Sequence, residues 1–588
     1  LRFFIQRRSQ NGIQRIACNS FRYFVTPKIW HRQDFMEKAN ADEKISWLLS
    51  MIQEQPSQVD VKAYSLVLKS IAATERPGAP HNIEAIISQM TVEPDDDCYE
   101  SLLDAWVTTT SDDGEICRLR AERWFREIKN PTLMTYHKIL RVYSKGMIKY
   151  HTRARKKEFF LENAKNAEFI LQTMKVPPDT EAYNLVIRAW SKVLHDPELR
   201  VAKVADIFGK MEKLHQENPH GSVSPNTKTF AMVMECYSEL AGFRISSKTG
   251  TGLNEARHVI DLVKHTHELQ LRGFDDVAPD TVIYNILIST WARLSGSIYH
   301  PNALAKAEEI LKQMMDSSVE SIPQPDQISF SKVIQAWTKN SKSDQAGEKA
   351  LYWLQELKKY YIESGKNESI KTSIYNSVML ALKQNPRKVE EIFRELEDNR
   401  NKGVKPVPIS ESYSILIHAW AKFDIQRAYT WLQEVIEYES KNPDGTPAVV
   451  TVPDEFNVLL RNAAANCSFG NTFLALEVLE HYRHSRHPVN VDAYVCIMKC
   501  LVYCSEILSQ HQNLYPEETY QLRILKVLDD CVSDGLVSGP LVNFISSSPV
   551  FRVGYTSALK EIIKGRLFDV CPMPGEWTRN VPVDQLPN

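Results

Sequence analysis

The 588-residue chain has no uninterrupted apolar run near 18 residues, no Cys-x-x-Cys pair among its ten cysteines, and no Gly-x4-Gly-Lys-Ser/Thr phosphate loop. The first absence argues against a membrane-spanning helix, and the second against zinc ribbons and disulfide scaffolds. A His-x-Glu followed by Pro-Cys-x-x-Cys, which a zinc deaminase needs, is also missing. We therefore expect a non-enzymatic protein without metal or cofactor, whose thiols are reduced and mostly buried.

The first 33 residues differ from the rest of the chain. They carry seven basic side chains interleaved with apolar ones, and no acidic residue occurs before Asp34. A basic, acid-free, amphipathic leader is typical of an organelle transit peptide, with a disordered basic tail as the alternative. We expect a mitochondrion as the destination, with a plastid as the second choice.

The overall charge gives the chain no general affinity for nucleic acid. It has 71 basic and 73 acidic residues, and without the leader it has 64 basic residues against the same 73 acids. A nonspecific polyanion binder should be basic. Any contact with nucleic acid must therefore come from a local surface.

One short pattern recurs along the sequence. A Pro-Asp-like turn precedes an aromatic residue, apolar residues follow three and four positions later, and Trp often stands at the seventh, as from Tyr183 to Trp190. This spacing places the apolar residues on one face of an α-helix. The copies begin at Tyr64, Tyr99, Tyr136, Tyr183, Phe230, Tyr284, Phe330, Tyr375, Tyr413, Phe456 and Tyr494.

A second apolar-periodic segment follows each copy, for example Ala303 to Met315. Each unit is therefore a helical hairpin, which must stack on its neighbours to bury its apolar stripe. We predict an all-α fold, an α-α superhelix (solenoid) of about ten to eleven hairpin repeats with N- and C-terminal capping helices. The expected boundaries are 34–60 for the N-terminal cap, 61–510 for the repeats, 511–568 for the C-terminal cap and 569–588 for an irregular tail. Extra residues are expected between first and second helices at 145–157, 242–252 and 296–301.

The segments Pro279–Asn285 (PDTVIYN) and Pro178–Asn184 (PDTEAYN) resemble the start of pentatricopeptide repeats. Tetratricopeptide arrays are the nearest alternative, but their signature of Trp, Leu-Gly and Tyr is missing. The resemblance covers residues 60 to 510 and is strongest in the middle. It implies an organellar protein that binds single-stranded RNA and acts in RNA processing, stability or translation.

The resemblance also implies how RNA would be read. The residue after each first-helix aromatic, here called the fifth residue, would meet a base together with the last residue of the repeat, the closing residue. Asn285 with Asp326 resembles a uridine reader, and Asn184 with Asn226 a pyrimidine reader. The RNA-binding residues expected from the repeats are Ser65, Asp95, Asn184, Asn226, Asn285, Asp326, Ser331, Asn376, Ser414, Asn457 and Asn490.

Several repeats depart from this pattern. The fifth residues Ala231 and Val495 cannot hydrogen-bond a base, and the closing residues Ile409 and Val452 are apolar. We therefore expect a short or structured RNA target. For each Asn or Ser, the alternative is a polar residue at a helix start with no ligand.

A basic run between the first and second helices of one repeat adds Lys149, Arg153 and Arg155 as candidate phosphate contacts, with a solvated loop as the alternative. The alternative function is a protein-protein interaction scaffold of the same fold, for example a ribosome-associated one. Besides RNA, other RNA-processing or ribosomal proteins are thus candidate partners. A basic concave face would favour RNA, and an acidic or apolar one would favour protein.

Three cysteines lie four residues apart on one predicted helix, Cys496, Cys500 and Cys504. Three thiols on one helix face rarely bind zinc unless a second element supplies ligands, so we expect them to be buried. His265 and His267 lack a matching ligand set and are expected at a surface helix end.

Overall fold

The computed structural model of the protein describes residues 60–74, 78–90, 92–108, 114–145, 153–219, 221–295, 300–316, 322–339, 345–365, 368–440, 449–510, 517–547, 578–582 and 585. Within these ranges the chain has 23 α-helices, one 3-10 turn and no strand, which confirms the predicted all-α fold. The predicted leader at 1–33 lies outside the described residues, as does all of the predicted helix at 34–60 except Asp60.

The described helices fall into two compact units. The first unit contains the described residues within Leu1–Tyr299 and Asp316–Gln324. Its helices are α1 Val61–Ala72, α2 Ala79–Gln89, α3 Asp96–Thr108, α4 Gly114–Phe125, α5 Leu133–Ser144, α6 Arg153–Thr173, α7 Thr180–Ser191, α8 Pro197–Glu217, α9 Thr227–Ser246, α10 Leu253–Leu271 and α11 Thr281–Leu294.

The second unit contains the described residues within His300–Met315 and Pro325–Asn588. Its helices are α12 Ala303–Met315, α13 Gln327–Lys339, α14 Ala346–Glu363, α15 Thr372–Ala381, α16 Pro386–Asn401, α17 Ser410–Ala421, α18 Ile425–Ser440, α19 Pro453–Ala465, α20 Phe469–His484, α21 Val491–Gln510, α22 Glu517–Ser533 and α23 Gly539–Ser547.

Each unit is a stack of antiparallel helical hairpins. Helices α1 to α10 pair into five hairpins in the first unit, and α13 to α22 pair into five in the second. Within a unit, each odd-numbered helix also packs against the next odd-numbered helix. The first helices therefore form one continuous layer in each unit, as expected when a hairpin buries its apolar stripe against its neighbours.

Local sequence explains where the first helices begin. The side chain before the helix accepts a hydrogen bond from the backbone N–H three residues on, as Asp179 Oδ1 does from Ala182 N at 2.9 Å. Such a cap stabilises a helix by about 1 kcal/mol. The residues that cap first helices in this way are Asp60, Asp95, Thr132, Asp179, Asn226, Asp280, Asp326 and Asn490.

The recurring aromatic residue of the first helix joins one hairpin to the next. Phe208 on α8 meets Phe230 on α9 edge to face, with 5.2 Å between ring centroids. Phe393 on α16 meets Tyr413 on α17 in the same way at 4.7 Å. An edge-to-face pair adds about 0.5–1.5 kcal/mol to the effect of apolar burial.

Two of the expected insertions are partly helical. Helix α6 begins at Arg153, so residues 153–157 belong to the second helix of the hairpin, and α9 continues to Ser246. Neither 153–173 nor 243–246 contains glycine or proline, so nothing in the local sequence ends a helix there.

Glu308 on α12 accepts hydrogen bonds from two tryptophans of the second unit. Its Oε1 accepts from Trp337 Nε1 at 2.9 Å and from Trp353 Nε1 at 2.8 Å. Glu308 and Trp353 are both buried, and Lys349 Nζ lies 3.6 Å from Glu308 Oε2. One carboxylate thus satisfies two indole N–H groups between three helices.

We expect Glu308→Leu to lower the free energy of unfolding of the second unit by about 2–4 kcal/mol, because it leaves two indole N–H groups without an acceptor. Glu308→Gln keeps an acceptor oxygen and should lose less. Thermal unfolding and hydrogen exchange of the α13 and α14 amides would measure the change. The exposed neighbour Glu309→Leu is the control. Equal losses in Glu308→Leu and Glu309→Leu would contradict this role.

Candidate nucleic-acid interface

Fifth and closing residues meet in three consecutive repeats of the first unit. Thr132 Oγ1 donates to Glu100 Oε1 at 3.3 Å, and His137 Nε2 lies 2.8 Å from Asp179 Oδ1. Asn184 Nδ2 donates to Asn226 Oδ1 at 3.4 Å. The structure thus brings together the two side chains of one predicted reading pair, Asn184 and Asn226.

The closing residue serves two helices at once. Asn226 caps α9 by accepting from Thr229 N at 3.1 Å while its Oδ1 also faces Asn184. Asp95, Asp326 and Asn490 cap their own first helices in the same way. These predicted RNA-binding side chains therefore have a structural role that does not require a ligand.

A hydroxyl three residues after the closing position binds the preceding fifth residue. Thr229 Oγ1 donates to Asn184 Oδ1 at 2.7 Å, and Ser412 Oγ donates to Asn376 Oδ1 at 2.7 Å. Glu411 Oε2 accepts from Asn376 Nδ2 at 2.9 Å. The side-chain oxygens of both asparagines are thus engaged within the protein.

Most of the predicted fifth residues are buried. The exposed fraction is 3 to 8 % for Ser65, Asn184, Asn285, Asn376 and Asn457. Ser331 and Ser414 are half-buried. A base could reach the buried side chains only at the edge that the packing leaves open.

The other predicted pairs are not joined in this way. Among the described residues, no hydrogen bond links Ser65 to Asp95 or Asn457 to Asn490. Asn285 belongs to the first unit and Asp326 to the second. RNA contact by any of these residues stays a prediction.

Of the three candidate phosphate contacts in the predicted basic run, only the side chain of Arg155 is among those that the structure describes. Lys149 lies outside the described residues, and Arg153 is the first residue of α6. Arg155 Nη2 lies 3.3 Å from Glu115 on α4. The carboxylate of Glu115 thus offsets the charge of Arg155.

A set of ion pairs that the sequence patterns did not predict crosses the layer of first helices. The residue five positions after one aromatic pairs with the residue two positions before the next aromatic. Lys69 lies 2.8 Å from Asp97, Arg141 lies 3.6 Å from Glu181, and His418 lies 3.4 Å from Asp454. Exposed pairs of this kind contribute only about 0–1 kcal/mol each, but they neutralise charge at this face.

The third pair is the weakest, because burial lowers the pKa of His418 and favours its neutral form. Arg461, 3.0 Å from Asp454, supplies a permanent positive charge at the same place. Opposite charges at these two positions of the repeat were the sequence signal for these contacts.

The cysteines and histidines singled out earlier are engaged in the core or in local contacts. Cys496, Cys500 and Cys504 are buried free thiols, and burial raises the pKa of each. His265 lies 3.3 Å from Glu212, and His267 lies 3.0 Å from the Tyr284 hydroxyl. Both histidines are half-buried in the last two turns of α10, and each side chain contacts a neighbouring helix.

The described residues contain neither a candidate membrane-spanning helix nor a candidate metal-binding cluster. No helix there is both long and apolar enough to cross a membrane. No three His, Cys, Asp or Glu side chains there are grouped so that they could hold a metal ion.

The described helices thus define a helical-hairpin repeat protein. No protein-family model and no curated protein matches the chain. Among solved structures the chain is similar to pentatricopeptide repeat proteins. One is the pentatricopeptide repeat protein PPR10 in complex with an 18-nt psaJ RNA element, at 18% identity, 90% coverage of this chain, 82% coverage of that chain and a TM-score of 0.34. Another is PPR10 from maize, at 15% identity, 95% and 92% coverage and a TM-score of 0.27.

At the apolar closing residue Val452, a buried carboxyl on the following helix binds the backbone N–H of the closing residue. Glu455 on α19 is fully buried, and its Oε2 accepts from Val452 N at 3.1 Å. Burial raises the pKa of Glu455 to about 8, and the carboxylates of Glu439 and Asp454 act in the same direction. The Val452 N–H opposes this shift by binding the charged form.

A pH dependence of stability follows from this carboxyl. An unfolded glutamate titrates near pH 4.3, so between about pH 4.3 and 8 the folded chain holds a proton that the unfolded chain has lost. The free energy of unfolding should therefore fall as pH rises through this window, by up to about 1.4 kcal/mol per pH unit. Thermal unfolding of the wild type and Glu455→Gln at pH 5 and 7.5 would measure it.

We expect Glu455→Gln to lose this pH dependence, and the exposed Glu480→Gln on α20 to keep it. Identical pH profiles for the wild type and Glu455→Gln would show that the carboxyl is ionised throughout the window.

Proposed function

We propose that this chain is an organellar single-stranded RNA-binding protein of the pentatricopeptide-repeat kind that acts in RNA processing, stability or translation without catalysing a reaction. The main support is the contact of fifth and closing residues in three consecutive repeats of the first unit. The two side chains that one base would meet are therefore already adjacent. The basic leader favours import into a mitochondrion, with a plastid as the second destination.

The Asn184–Asn226 pair offers the clearest chemistry for a base. Asn184 Oδ1 is occupied by Thr229, and Asn226 Oδ1 caps α9. Each side-chain amide nitrogen carries two N–H donors. Among the described residues, Asn184 Nδ2 uses one of its two donors, toward Asn226 Oδ1, and Asn226 Nδ2 uses none. Both amides therefore retain N–H donors for a ligand. Donors suit a pyrimidine that presents acceptor atoms, such as O2 and N3 of cytosine.

A protein-binding scaffold of the same fold, such as a ribosome-associated subunit, is the second candidate. The acidic residues Asp97, Glu181 and Asp454 on the first-helix layer favour it, because carboxylates repel RNA phosphates. Each of these acids has a cationic neighbour, however, so this face is largely neutral where the ion pairs form.

RNA crosslinking and sequencing with the tagged full chain in isolated mitochondria would test the proposal. We expect one or two pyrimidine-containing footprints in the wild type, lost in the double variant Asn184→Ala, Asn285→Ala, because both fifth residues would lose their amide donors. The exposed Asn302→Ala is the matched control and should keep the footprints.

A melting curve of the double variant must accompany the experiment, since removing Asn184 also removes the acceptor of the Thr229 hydroxyl. A diffuse or ribosomal RNA signal, equal in the wild type and the double variant, would rule out base reading and favour the scaffold.

A further inference from the structure

Two cations occupy the positions that elsewhere form ion pairs between first helices. Arg188 on α7 stands five residues after Tyr183, as Lys69 and Arg141 stand after their own aromatics. Lys228 on α9 stands two residues before Phe230, where Asp97 and Glu181 stand in other repeats. At those junctions the paired atoms lie 2.8 and 3.6 Å apart, so the repeat places residues 188 and 228 at facing positions of neighbouring first helices.

These cations have no compensating carboxylate. Among the described residues, no acidic oxygen lies within 4.0 Å of Arg188, Lys192 or Lys228. The acids nearest in sequence on the same layer are engaged elsewhere, Glu181 with Arg141 at 3.6 Å and Glu235 with Arg293 at 2.7 Å. Arg188 and Lys228 are both exposed, so a ligand can reach them.

Lys192 lies one turn beyond Arg188 of α7, in the same positively charged surroundings. Burial lowers the pKa of Lys192, and the Arg188 guanidinium lowers it further. A carboxylate close by would oppose both effects. The end of α7 and the start of α9 thus carry three cations with a surplus of positive charge.

We propose that Arg188 and Lys228, supported by Lys192, form a phosphate-binding subsite beside the Asn184–Asn226 pair. The subsite rests on the proposed RNA function and adds to it the place where the backbone is held. Asn184 and Arg188 are four residues apart on one helix face, and Asn226 and Lys228 lie two residues apart at the start of α9. A nucleotide whose base meets the two asparagines therefore has its phosphate within reach of the two cations.

The variant Lys228→Glu separates this role from a structural one. It places an acid where Asp97, Glu181 and Asp454 stand, so it should form the missing ion pair with Arg188 and keep or raise the melting temperature. Its affinity for a labelled 20-nucleotide single-stranded RNA of random sequence should fall about tenfold at low salt. The slope of log affinity against log salt should shrink by about 1.4, which corresponds to two lost phosphate contacts at about 0.7 each.

Two further variants complete the experiment on the full chain. Lys228→Gln removes one charge without adding another, and we expect a smaller loss of about threefold with a slope change of about 0.7. Lys213→Glu, a 78 % exposed residue on the second helix α8, makes the same charge change away from the layer and should bind like the wild type.

The outcomes distinguish the subsite from the proposed function. Binding by Lys228→Glu with the affinity and salt slope of Lys213→Glu would overturn the subsite and leave RNA binding standing. A lower melting temperature in Lys228→Glu would overturn the placement of Arg188 beside residue 228. Failure of the wild type to bind RNA would overturn both proposals.

Discussion

The junction between successive first helices is the contact on which the rest of the molecule depends. A single polar side chain there caps one helix and reaches back to the helix before it, as Asp179 Oδ1 does with Ala182 N and His137 Nε2. An uncapped helix start would leave backbone N–H groups unsatisfied beside a packed interface. The position that fixes the stacking of hairpins is therefore also the position assigned to base reading, and any ligand there must coexist with the cap.

The helices could be predicted from sequence because their determinants are local. The Pro-Asp turn before Tyr183 contains the cap of α7, and the apolar spacing that follows gives its buried face. The start of α6 at Arg153 was missed, because a charged segment between two hairpin helices reads as a loop unless its lack of breakers is weighed. Element existence followed from periodicity, whereas the exact end of a helix depended on packing that the sequence does not display.

The candidate site was predictable only in part, for a related reason. The sequence identified which side chains stand at the fifth and closing positions, and the structure brings Asn184 and Asn226 together. It could not show that Thr229 would reach Asn184, because that bond joins residues 45 apart in sequence and depends on the spacing between helices. Burial of the fifth residues follows from the same close approach of neighbouring first helices.

Charge on the first-helix layer reconciles a net charge of −2 with a proposed polyanion ligand. Where a cation and an acid meet, as in Lys69–Asp97, the junction is neutral and offers a phosphate little. Where both positions carry cations, the two charges repel each other and create a local positive potential. A bound phosphate would be stabilised by that potential and would relieve the repulsion. The proposed phosphate subsite would confine the RNA affinity of this layer to one junction and make that affinity decrease with salt. A protein partner would not require positive charge at these junctions. The charge of Arg188 and Lys228 therefore distinguishes RNA binding from the protein-binding scaffold.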